Sequence, residues 1–265
     1  MDYMRPFTFN GITFMIGFLS LIPVILIFDK TKPDAEGRKK IIKYGVICGL
    51  ILFAASNLQQ FGVDLTGSAG KSGFITGLYI IIVPIAGIFM KRRASALTWI
   101  GACLALAGMY FLCVQDGFGS IMIGDWLLII GAFFWAAHII VIDRFAPLVS
   151  SLRLSQMQFL VCSVLCLIFA FFNETIVPSG ILLGIVPLLY RGIASIGIAY
   201  TLQIFGQRFV APAKASVIFS LESVFSVVGG AILIHEVMTA RAYFGCILIF
   251  CGIILSQIKI KEKAR

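Results

Sequence analysis

Apolar residues fall in nine long runs, at about 7–28, 44–63, 73–90, 97–114, 125–142, 155–172, 188–206, 215–234 and 242–258. Each is near the roughly 20 residues with which a helix crosses about 30 Å of hydrocarbon. Backbone polar groups in lipid must be satisfied within their own segment, and runs this long exceed a barrel strand, so the pattern predicts nine transmembrane helices. The polar positions inside the runs are few and grouped. In the second run, Gly45 and Gly49 have the spacing that lets helices approach closely. Ser56, Asn57, Gln59 and Gln60 follow, and four neighbouring polar side chains are costly against lipid, so at least one face of this helix looks into protein or water.

Later runs carry further candidates. The third has Gly73, Gly77, Tyr79 and a mid-membrane Pro84, whose missing N–H predicts a break or bend and hence a gating point. Trp135 and His138 in the fifth are three apart and share a face, where a histidine reads either as a cavity group or as hydrogen-bonded packing. In the seventh, Arg191, Ser195, Ala199 and Gln203 form a stripe at steps of four. Arg191 lies at its outer end, lining the mouth or snorkelling to the headgroups. Glu222 in the eighth run stands among Ser216, Ser220, Ser223 and Ser226. A carboxylate there must be paired, protonated or wet, or else it makes a structural hydrogen bond to a neighbouring helix.

A repeat organises these runs. Leu58, Gln59, Phe61 and Gly62 recur as Leu202, Gln203, Phe205 and Gly206 at an offset of 144 residues, and the same offset carries Gly101 and Gly108 onto Gly245 and Gly252. An odd number of crossings separates the second run from the seventh, so the two copies run in opposite directions, as in transporters whose binding site lies between inverted halves. The halves divide at residues 1–119, with four helices, and 120–265, with five. From the unequal spacing of Gln59 to Pro84 and Gln203 to Glu222, the proline of one half is expected where the carboxylate stands in the other.

Composition narrows the function classes. With 60% hydrophobic and 12% charged residues and a mean hydropathy of +1.04, the chain is not a water-soluble domain. Its net charge of +9 does not point to nucleic acid, because the basic residues lie between the apolar runs rather than in an aromatic-interleaved stripe. If residue 1 is outside, 17 of the 21 Lys and Arg fall on the inner side, as the positive-inside rule expects, which puts the C-terminus in the cytoplasm. The seven cysteines sit inside apolar runs with no C-x-x-C pair and no nearby His, so they read as packing residues, and no metal or cofactor is expected. No cleavable signal is evident, since the basic cluster follows the first apolar run. Gly67-Ser68-Ala69-Gly70-Lys71-Ser72 is not a phosphate loop, because its first glycine would fall at Leu65 and no strand precedes it. Asn173-Glu174-Thr175 matters as an acceptor sequon only where the source glycosylates proteins. Two histidines and no Asp deep in a span do not assemble catalytic chemistry, so an enzyme is not expected.

Pro6-Phe7-Thr8-Phe9-Asn10, Tyr200-Thr201-Leu202-Gln203, Ser220-Leu221-Glu222-Ser223-Val224-Phe225 and His235-Glu236 closely resemble the EamA branch of the drug/metabolite transporter superfamily, over essentially the whole chain. The resemblance implies ten helices in two inverted five-helix halves, cytoplasmic termini, and a central cavity for small metabolites, often amino acids leaving a bacterial cell. The chain departs from that pattern in three places. It has nine spans, the absent one resembling the family's first, which would oppose the Trp135 and His138 helix. Thr13 stands where members often carry Arg, and Ser223 where a proline commonly follows the glutamate. Either the start is assigned too late or the protein is truncated.

The resulting expectation is an all-α polytopic membrane protein of nine transmembrane helices, four and five, from an inverted five-helix repeat. It would act in the cell inner (plasma) membrane as a secondary transporter, exporting small polar metabolites such as amino acids by alternating access. Gln59, Gln60, Tyr79, Trp135, His138, Tyr200, Gln203 and Glu222 would face the substrate, with Arg191 at the outer mouth. The partners are the small-molecule substrate and the bilayer, with no nucleic acid; a homo-oligomer is allowed. The competing reading is a truncated, non-transporting assembly or regulatory membrane protein.

Overall fold

The chain's long apolar runs leave each segment to satisfy its own backbone hydrogen bonds, and the described residues form helices joined by short turns and loops, with no strand among them. The computed structural model describes residues 4–30, 33–92, 94–114, 121–233 and 239–258. His235 and Glu236, the division at 119/120, Lys32, Arg93 and the basic tail at Lys259, Lys261, Lys263 and Arg265 lie outside the described residues. Nine helices among the described residues are long and apolar enough to span a bilayer. The helices are α1 (Pro6–Phe28), α2 (Ala35–Thr66), α3 (Ala69–Thr76), α4 (Tyr79–Phe89), α5 (Ala96–Cys113), α6 (Ile123–Phe145) and α7 (Ser151–Asn173). There follow α8 (Pro178–Leu183), α9 (Ile185–Leu189), a π-helical segment (Tyr190–Tyr200), α10 (Thr201–Gln207), α11 (Pro212–Phe219), α12 (Leu221–Leu233) and α13 (Ala240–Gln257).

Some of the polar residues that flank the apolar runs cap helices. Asp34 accepts from the Gly37 N–H at 2.7 Å and starts α2 well before its apolar stretch. Gly67 ends that helix at φ +61°, a left-handed conformation that glycine adopts without strain. Ser68 then accepts from the Lys71 N–H and starts α3, so the Gly67–Ser72 stretch is a corner between helices.

The third and eighth spans are each split in two. α3 gives way to α4 at Gly77–Leu78, and α11 to α12 at Ser220. The break expected at Pro84 therefore lies upstream of it. The proline sits inside α4, and the turn before it is tightened by bonds from Ile80 N–H to Gly77 and from Ile81 N–H to Leu78. A proline ring crowds the carbonyl four residues earlier, here that of Ile80, so the strain is relieved in the preceding turn. That carbonyl is met instead by the Ser216 hydroxyl of α11, 3.5 Å away. α3 and α11 begin at Ala69 and Pro212, and by this register Tyr79, not Pro84, is the counterpart of Glu222.

The inversion of the two copies is visible in glycine contacts. A Cβ on Gly101 would lie 2.4 Å from the Gly252 carbonyl, and one on Gly108 would lie 2.6 Å from that of Gly245. Gly101 and Gly245 are repeat mates, as are Gly108 and Gly252, so each glycine meets the mate of the other. Only antiparallel α5 and α13 crossing on a two-fold axis make such reciprocal contacts. α1 and α7 are also antiparallel: Glu174 accepts from the backbone N–H groups of Phe7 and Thr8 at 2.8 Å, and at the opposite ends Ser150 donates to Asp29 at 2.6 Å.

Candidate functional site

α2 brings its polar run to the centre of the bundle and divides it. Ser56 and Asn57 turn to the packed side: Asn10 of α1 donates to the Asn57 side-chain oxygen at 3.0 Å, and Asn57 donates to the Cys166 sulfur at 3.2 Å. Gln59 and Gln60 turn to a cavity of about 780 Å³. The remaining walls come from α3 (Thr76), α4 (Tyr79), α6 (Trp135, Ile139), the π-helical segment (Tyr190, Arg191, Ala194, Ser195, Ala199, Tyr200), α10 (Gln203), α11 and α12. α11 supplies Ile218 and Phe219, and α12 supplies Leu221, Glu222 and Phe225.

Seven of the eight residues singled out for the substrate thus line one space, and Arg191 joins them. His138 does not. It is 2% exposed and faces α7, where its Nε2 lies 3.0 Å from the Gln158 side-chain oxygen, with its ring edge-on to Trp135. Being three residues apart put it on the Trp135 side of α6, but α7 occupies that position. Arg191 is turned inward rather than snorkelling, because its guanidinium donates to Gln60 Oε1 at 2.8 Å and stacks over the Phe9 ring at 4.8 Å. The cysteines are mixed: Cys48, Cys162, Cys166 and Cys246 are buried packing groups, but Cys103 and Cys251 face outward.

The stripe at steps of four holds, since Arg191, Ser195, Ala199 and Gln203 all reach the cavity. The π-helical turn brings residues five apart onto a common face as well. Gly192 and Gly197 use that spacing to seat the segment on α1, where an added Cβ would meet Ile16 at 2.6 Å and Ser20 Oγ at 2.4 Å. Several wall residues were not singled out from sequence, although helical spacing points to two of them: Ile139 is four beyond Trp135, and Phe225 three beyond Glu222.

The cavity carries a varied set of polar groups. Trp135 donates its indole N–H to Gln59 Oε1 at 2.9 Å, which fixes that amide with its NH2 group uncommitted among the described residues. Tyr200 packs edge-on against Trp135 at 6.0 Å. Glu222 lines the same space and makes no hydrogen bond or ion pair of its own among the described residues. The space thus gathers a guanidinium, three amides, a carboxyl group and three tyrosines.

Below the cavity, Val83, Ala136 and Ile139 form an apolar plug, with Tyr79, Ile82, Ile140 and Phe219 packed on it. On the far side lies a second cavity of about 590 Å³ lined by Val83, Ile140, Arg92, Asp143 and Lys214 among others, and there Arg92 is ion-paired to Asp143. One asymmetry remains between the copies. Gly62 is covered by Leu128 of α6, which an added Cβ would meet at 2.5 Å, whereas nothing lies within 4 Å of its mate Gly206.

Comparison with known proteins extends over nearly the whole chain. The model of a family described as the EamA-like transporter family matches residues 1–114 and 122–257. An uncharacterized transporter of Archaeoglobus fulgidus is 30% identical over 266 residues, covering 98% of this chain and 79% of the relative. The uncharacterized transporter YoaV of Bacillus subtilis is 20% identical, covering 97% and 89%. A solved chain described only as "Crystal structure of protein" superposes with a TM-score of 0.79 at 19% identity over 96% of this chain and 89% of that one, a likeness of fold.

Proposed function

Because the chain belongs to the EamA-like transporter family, and is thus a multi-pass membrane transporter, we propose that it carries a small zwitterionic metabolite of amino-acid type by alternating access through the cavity between its two halves. The observation that carries this reading is the placing of Arg191 and Glu222 on one cavity of about 780 Å³ without an ion pair between them. Two opposite charges held apart suit a ligand that bears both. Arg191, steadied by Gln60, would take the carboxylate; Glu222 and the faces of Tyr79, Trp135 and Tyr200 would take the ammonium. Gln59 and Gln203 offer amide donors and acceptors to what remains of the ligand.

The apolar plug at Val83, Ala136 and Ile139 and the Arg92–Asp143 pair beyond it would close one end of the path. By the positive-inside rule we take the closed, basic end as the cytoplasmic one, and we propose export across the plasma membrane. The two stretches matched by the family support a division into halves near residue 119. Both halves contribute to the cavity, so transport by this reading needs no second copy.

The test is flux of a labelled amino-acid mixture into sealed vesicles carrying the purified protein. Uptake above empty vesicles is expected, with loss of at least tenfold in Glu222→Gln, on the scale of a charged hydrogen bond. No uptake above empty vesicles for any zwitterion would overturn the proposal in favour of a non-transporting assembly protein.

A further inference from the structure

A third cavity, of about 660 Å³, lies on the outside of the bundle at its basic end, between α1, α2 and α7. Its lining is graded along the bundle axis. On α7, Arg153, Gln156, Met157 and Leu160 fall at steps that place them on one face, and on α2 Arg38, Ile41 and Ile42 do the same. The two helices run parallel here, because Gly45 packs on Met157 and Gly49 on Val161. Both therefore put arginine at the mouth and apolar side chains deeper in. From Arg153 to Leu160 a helix advances about 10 Å, more than the roughly 5–8 Å of one headgroup layer. Arginine at phosphate level thus implies Leu160 in hydrocarbon.

Charge at the mouth is positive. Arg153 is already paired with Asp29, 3.0 Å away, and Lys40 with Glu36 at 2.7 Å. Arg38 donates its Nε to the Pro33 carbonyl at 3.2 Å, and its terminal nitrogens have no partner among the described residues. Exposed Lys39 and Lys43 flank it on the same helix end. Gln156, between the arginines and the apolar floor, stands where ester groups would lie. We propose that this groove is a binding site for an anionic phospholipid, with the phosphate on Arg38 and the edge of Arg153, the glycerol esters at Gln156, and an acyl chain along Ile42, Met157 and Leu160. Basic pockets between membrane helices hold anionic headgroups in this way.

The experiment is thermal unfolding of the purified full chain in micelles containing phosphatidylglycerol or phosphatidylcholine, with native mass spectrometry of the retained lipid. Phosphatidylglycerol is expected to raise the midpoint by several degrees over phosphatidylcholine. Arg38→Gln should weaken its retention about fivefold, the scale of one basic residue at an anionic surface. Ile42→Trp, which fills the groove from an exposed position without altering charge, should displace the lipid as well. The midpoint of each variant in phosphatidylcholine reports that it folds. Equal stabilisation by the two lipids would overturn the proposal, as would wild-type retention in both variants. Inorganic phosphate or glycerol phosphate reproducing the shift would overturn it in favour of a free-anion site.

Discussion

Single side chains decide whether the cavity is a binding site or a gap. Arg191 could have snorkelled, but the Gln60 amide at 2.8 Å and the Phe9 ring hold it inward. Arg191→Gln is therefore expected to cost roughly 1.5–3 kcal/mol of substrate binding, or about ten- to a hundredfold in affinity. The check is substrate-induced quenching of Trp135 fluorescence, since that indole lines the same space. A subtler change is Trp135→Phe, which keeps the wall and deletes the 2.9 Å bond to Gln59. It should weaken binding by about 1 kcal/mol, roughly fivefold, through a Gln59 side chain no longer held in place. His138→Asn serves as the contrast: it touches Gln158 rather than the cavity, so it should lower the unfolding midpoint while leaving affinity within about twofold.

At the scale of elements, close approach between helices rests on glycines whose surroundings differ between the copies. Gly108→Ala would drive a Cβ to 2.6 Å from the Gly245 carbonyl, where neither backbone can yield cheaply. Overpacking of this kind costs about 1–3 kcal/mol, to be read as a lowered midpoint in thermal unfolding. Gly62→Ala should behave likewise, against Leu128 at 2.5 Å. Its repeat mate gives the opposite result, because Gly206→Ala meets nothing within 4 Å and alanine favours helix over glycine by up to about 1 kcal/mol. A Gly206→Ala protein as damaged as Gly62→Ala would contradict the described packing. The interrupted spans belong to this scale too: by breaking at Gly77–Leu78 and at Ser220, each half sets a side chain of its second segment, Tyr79 or Glu222, on the cavity wall. Discontinuous helices in matching positions are a common way to place polar groups at mid-membrane.

For the whole molecule, the proposed alternating access predicts that the plug and the Arg92–Asp143 pair part. Asp143→Asn removes the charge that holds Arg92 and should shift the population toward the state open at the basic end. In a background without native cysteines, labelling of Ile139→Cys by a membrane-impermeant thiol reagent from that end is expected to rise several-fold on adding Asp143→Asn. Unchanged labelling would place the barrier elsewhere.

Much of this architecture was legible one residue at a time. Burial of apolar surface in a bilayer and the need to satisfy backbone groups within a segment are local requirements, so hydropathy alone located nine spans. The L-Q-x-F-G copies and the parity of crossings implied the inversion that the reciprocal Gly101–Gly252 and Gly108–Gly245 contacts display. Only the tertiary structure decided where side chains point. Helical spacing restricts His138 to the Trp135 side of α6, but the helix it meets there is α7. A proline implies that a turn must open, and the carbonyl it leaves unbonded, that of Ile80, finds its partner in Ser216 of α11, far away in sequence. The direction of a long side chain such as Arg191 depends on partners supplied by α2 and α1, more than a hundred residues away in sequence, which no local pattern records.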